Sequence, residues 1–96
     1  MSKYMIEIPH GGNKLDCLRS VQILLSTGSH FLTNAEWGCL DGVHKAWFFM
    51  DADNKDEVLR IVPPAFRNDA KISKLNRFRL ADIENLLKSH EESLAK

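Results

Sequence analysis

The stretch FLTNAEWGCLDGVHKAWFFMD, residues 31–51, constrains this chain more than any other, because it is apolar on both alternations of an extended backbone. Its Asp41-Gly42 pair can supply the positive φ angles of a two-residue hairpin turn. Two strands, Phe31 to Cys39 and Val43 to Asp51, are therefore predicted to pair antiparallel. Counting outward sets Leu40 against Val43, Cys39 against His44, Trp37 against Ala46 and Glu36 against Trp47. One face then carries Phe31, Thr33, Ala35, Trp37 and Cys39 with His44, Ala46, Phe48 and Met50. The other carries Leu32, Asn34, Glu36 and Leu40 with Val43, Lys45, Trp47 and Phe49. Neither face is polar enough to sit in water, so something must cover each.

The remaining elements say what the covers are. KYMIEI reads as a strand, with Tyr4, Ile6 and Ile8 on one side and Met5 and Glu7 on the other, closed by Pro9 and Gly11-Gly12. Lys14 to about Ser26 has helical periodicity through Leu15, Leu18, Val21, Gln22 and Leu25, with Asn13 as N-cap and Gly28 at the C-terminal position. DADNKDEVLRIV is a second helix, capped by Asp53 or Asn54 and stopped by Pro63-Pro64. AKISKLNRF is a last strand, and Leu80 to Leu94 an appended amphipathic helix that is expected to fray past about Ser89. The order β-α-β-β-α-β is the split βαβ arrangement of a ferredoxin-like α+β fold: a four-stranded antiparallel sheet with two helices on one face and a C-terminal helical extension over 79–96. Such a monomer leaves its second sheet face bare. Association of two copies sheet to sheet would cover it; the alternative is a monomer capped by its own C-terminal helix.

With 96 residues the chain suits one domain. Its 13 Lys and Arg balance 13 Asp and Glu, which provides no global field for nucleic acid or an anionic membrane. No run reaches the length of a membrane span, and the N-terminus is too charged for a secretory signal. Two cysteines without CxxC spacing point to free thiols in a reducing cytoplasm.

The order and lengths resemble the small dimeric α+β barrel proteins, and within them the muconolactone-isomerase-like group. The resemblance runs from KYMIEIP to ISKLNRF and is carried by LLSTGSHF, by DADNKDEVLRIV and by the link PPAFRNDAKISKL. It implies a sheet-to-sheet homodimer holding a small organic ligand, in a group that includes isomerases and oxygenases without metal or flavin. No catalytic motif of the isomerase matches residue by residue, and HFLTNAEWGC departs from its pattern.

Among the residues themselves, Glu36 and Glu7 are the candidate acid–base groups. A carboxylate in an apolar cavity is raised toward neutral pKa, as proton-shuffling isomerases need. Asn34, Trp47, Trp37, His44 and Cys39 are the candidate ligand-binding residues, the ligand being an apolar metabolite bearing a carboxylate. The function expected is a cofactor-independent, isomerase-like enzyme or, alternatively, a non-catalytic binding module. Cys39 opposite His44 is also a candidate thiol–imidazole pair, but two ligands make no zinc site. His30, roughly 25 Å along the strand at ~3.3 Å per residue, cannot be a third. No metal and no cofactor are expected.

Overall fold

A computed structural model describes residues 1–95, with side chains described as far as Glu91. Strand β1, Ser2–Pro9, buries every second residue, and Tyr4, Ile6 and Ile8 face the core. Helix α1, Lys14–Ser26, begins at Asn13, whose Oδ1 accepts from the Asp16 N–H at 2.8 Å. It ends before Gly28, whose φ of 74° only glycine adopts freely. Strand β3, Lys45–Ala52, and helix α3, Lys55–Ile61, follow a short α2, His30–Thr33, and a two-residue β2, Glu36–Trp37. Asn54 caps α3: its Oδ1 accepts from the Glu57 N–H at 3.0 Å, while the Glu57 carboxylate reaches back to the Asp53 N–H. A 3₁₀ turn over Pro64–Phe66 leads to β4, Lys71–Leu75, and then to α4, Leu80–Ala95.

The strands form one open antiparallel sheet in the order β2-β3-β1-β4. This order is compatible with the split βαβ arrangement. Leu24 of α1, Leu32 of α2 and Val58 of α3 close over Ile6, Ile8, Ala46 and Phe48, so the core lies between the sheet and three helices. The second sheet face carries Met5, Glu7, Trp47 and Phe49 and, among the described residues, has no helix on it; Phe49 is 48% exposed. Among the described residues, no helix is long and apolar enough to cross a membrane.

Three expectations are corrected. The long hairpin is absent. Residues 30–33 are helical, β2 keeps only Glu36 and Trp37, and Cys39–Asp41 is a 3₁₀ turn. The reason is local. The Gly38 carbonyl accepts from both the Asp41 and Val43 N–H groups at 3.0 Å, and Gly42, at φ 78°, closes the turn onto the Cys39 carbonyl. A wide loop therefore replaces the two-residue turn, although Glu36 still faces Trp47 and Trp37 still faces Ala46. Cys39 and His44 are consequently not a cross-strand pair. Helix α1 is rotated from the leucine stripe: Cys17, Ser20, Val21 and Leu24 point inward, while Leu15, Leu18 and Leu25 are exposed. Ser20 is tolerated there because its hydroxyl donates to the Asp16 carbonyl at 2.8 Å. The last strand stops at Leu75, leaving Phe78 in solvent. The fraying expected past Ser89 lies, beyond Glu91, outside the described side chains; the backbone of α4 is helical to Ala95.

Candidate metal centre

At one end of the sheet, four separate segments deliver two imidazoles and two thiols to one point. His10 immediately follows β1, and its N–H donates to the His44 carbonyl at 3.1 Å, prolonging the β1–β3 ladder into the loop. Cys17 lies in the first turn of α1, placed by the Asn13 cap, whose carbonyl accepts the Cys17 N–H at 3.0 Å. Cys39 opens the 3₁₀ turn and His44 closes the loop. Gly38 makes that loop possible, because a Cβ there would stand 2.8 Å from the Val43 carbonyl oxygen and 3.0 Å from the Trp47 ring.

One ligand atom from each of His10, Cys17, Cys39 and His44 lies within 4.8 Å of all the others, and all four residues are half-buried. His10 Nε2 is 3.1 Å from Cys39 Sγ, and the two histidine rings meet edge to face at 5.7 Å. Trp37 packs edge-on against His10 at 5.5 Å and walls the cluster on the core side. In a tetrahedral zinc site, bond lengths of ~2.3 Å to sulfur and ~2.0–2.1 Å to nitrogen put ligand atoms about 3.3–3.8 Å apart. The observed cluster needs to contract by no more than about 1–1.5 Å to reach that geometry, a shift within reach of side-chain rotation.

The electrostatics agree with a ligand set. Burial, and secondarily the neighbouring His44, lowers the His10 pKa, which keeps the ring neutral and its lone pair available. Burial, then the hydrogen bond and charge of Cys17, pushes the Cys39 thiol up to about 11. A metal reverses that second effect, since a coordinating thiol loses its proton. His10 Nδ1 and His44 Nδ1 are buried with no hydrogen-bond partner among the described residues. A polar atom left in that state costs about 1–3 kcal/mol.

The residues singled out in the sequence divide between this cluster and the open face. Cys39 and His44 belong to the cluster, and Trp37 borders it. Glu7, Glu36 and Trp47 form one row across β1, β3 and β2, with Trp47 in the middle. The Trp47 Nε1–H donates to Glu7 Oε1 at 3.2 Å, and Lys45 Nζ lies 3.5 Å from the same oxygen. Glu36 is exposed. A cavity of about 430 Å³ brings together His30, Asn34, Glu36, Trp47 and Phe49 but not Glu7. The Asn34 amide is engaged in capping α2, donating to the His30 carbonyl at 2.8 Å. His10 and Cys17, half of the metal cluster, were invisible to spacing arguments because each comes from an element remote in sequence from the Cys39–His44 loop. Both cysteines are free thiols.

No protein-family model matches the chain, and neither does any curated protein or solved structure. The site must therefore be read from its own chemistry.

Proposed function

We propose that this chain is a metal-binding protein that holds one zinc-class divalent ion through His10, Cys17, Cys39 and His44. The convergence of four ligand atoms within 4.8 Å carries this reading. Two thiolates and two imidazoles match the preferences of zinc, whereas magnesium and calcium seek oxygen. Four protein ligands fill a tetrahedral shell and leave no position for water or substrate, which favours a holding or structural role over metal-assisted hydrolysis. Supplying Zn(II) to metal-free protein and counting metal after desalting tests the proposal. One ion per chain is expected in the wild type, and loss of that ion in both Cys17→Ser and Cys39→Ser. Cobalt substitution should give the intense absorption of a tetrahedral thiolate complex. Retention of the metal in both serine variants would defeat the reading.

The open sheet face supports a second reading, in which a second copy covers the face and a small organic ligand sits in the cavity beside Trp47. Its volume falls in the usual range of ligand pockets, about 300–1,000 Å³. Within this reading Glu36 is the acid open to a ligand, whereas Glu7 is already engaged by Trp47 and Lys45. An isomerase-like turnover of the kind found among muconolactone-isomerase-like proteins would use Glu36 as its base; a non-catalytic module would use the same cavity for binding alone. Titrating small aromatic acids and amines while observing the Trp47 indole N–H by NMR separates an occupied cavity from an idle one.

A further inference from the structure

Helix α4 stands away from the rest of the fold. The molecule measures 59 × 29 × 21 Å with a radius of gyration of 18.2 Å, whereas a compact chain of this length has about 12–13 Å. Every side chain from Leu80 to Glu91 is exposed except Ile83, which is half-buried. Leu80, Ile83, Leu86 and Leu87 nevertheless share one helical face, and Phe78 in the preceding link extends it. A lone helix of this length is marginal in water, so the stripe needs a surface to be stable.

The same chain presents a bare surface of matching character. Leu75, Met5 and Phe49 run diagonally across β4, β1 and β3 on the sheet face that no helix covers. Lys3 and Lys71 flank this strip, Lys3 with its Nζ 5.1 Å from the Phe49 ring centre. The charged side chains of α4 as far as Glu91 are Asp82, Glu84, Lys88 and Glu91, with Asp82 paired to Arg79 at 3.3 Å.

We infer that α4 of each copy seats on the open sheet face of a second copy, so that the protein is a reciprocal homodimer with exchanged C-terminal helices. This rests on the second reading above, that a second copy covers the face, and names the element that does so. The areas favour reciprocity. Phe78, Leu80, Leu86 and Leu87 are 72%, 74%, 64% and 55% exposed, which at ~150–200 Å² per large apolar side chain is about 450 Å². One helix on one face would bury about 900 Å² in total, short of a stable interface. Two reciprocal seatings reach about 1,800 Å², within the ~1,200–2,000 Å² of specific dimers. A two-fold arrangement supplies both at once and closes on itself.

The test uses the full chain and three substitutions at exposed positions, with mass determined by light scattering and folding checked by circular dichroism. Leu87→Glu damages the helix, Phe49→Glu damages the face, and Leu18→Glu marks the outer side of α1. Wild type and Leu18→Glu should be dimers, and the other two variants should be monomers. An equimolar mixture of Leu87→Glu and Phe49→Glu should recover only a weak, concentration-dependent association, because one intact helix then meets one intact face while the second seating stays broken. A monomeric wild type would overturn both this inference and the reading beneath it. A Leu87→Glu variant that stays dimeric while Phe49→Glu dissociates would mean that the sheets meet directly, overturning the exchanged helix alone. Dissociation by Leu18→Glu but not by Phe49→Glu would move the interface to α1 and overturn both.

Discussion

Zinc affinity should climb steeply with pH, by an amount that counts the thiols. Cys39 holds its proton up to about 11 in the metal-free protein, so zinc must displace a proton to reach that sulfur at neutral pH. Structural zinc sites gain about 10–16 kcal/mol, so binding still wins at neutral pH, but it must pull off a proton for each sulfur. Each thiol that loses a proton on binding adds a rise of up to about tenfold in apparent affinity per pH unit. The direction is opposite for the metal-free fold. The raised Cys39 pKa lends it stability below the ordinary thiol value of 9.0, which is lost as pH rises through about 11. Competition against a chromophoric chelator in a non-coordinating buffer measures the slope of the wild type. A wild-type slope near zero would refute coordination by these sulfurs.

Zinc at a hundred times its Kd should stabilise the fold by about 2.7 kcal/mol, raising the melting temperature of a domain this size by about 10–20 °C; scanning calorimetry with and without zinc checks this. Gly38→Ala drives a Cβ to 2.8 Å from the Val43 carbonyl, so it should cost about 1–3 kcal/mol and weaken zinc binding, since the same loop carries Cys39 and His44. Trp47→Phe removes the donor to the half-buried Glu7 carboxylate and should lower stability by about 1 kcal/mol in urea titrations.

Much of the architecture is legible in local signals. Asn13 and Asn54 cap the helices whose starts they mark, the β1 alternation predicts its buried face, and Pro63 ends α3 where its ring must. The hairpin misleads because β-rich composition over residues 31–35 is outweighed by an α2 turn that buries Leu32, and because Gly38 bends the backbone before the Asp-Gly pair can form a tight turn. Helix α1 misleads in a related way. Its leucines make the more hydrophobic stripe, yet the inward face is the one that carries Cys17 to the cluster and lets Leu24 reach the core. The cluster itself is a purely tertiary product: His10, Cys17 and the Cys39–His44 loop share no spacing rule, and only the β1–β3 ladder and the start of α1 bring them together.

That arrangement also sets a timetable. All four candidate ligands precede residue 45, whereas α4 follows at Leu80–Ala95. At a synthesis rate of ~5–20 residues per second, the histidines and thiols exist for several seconds before α4 has been made. Under the two proposals above, the ligand set would be complete before the pairing helix is made, so metal capture would precede the pairing of copies.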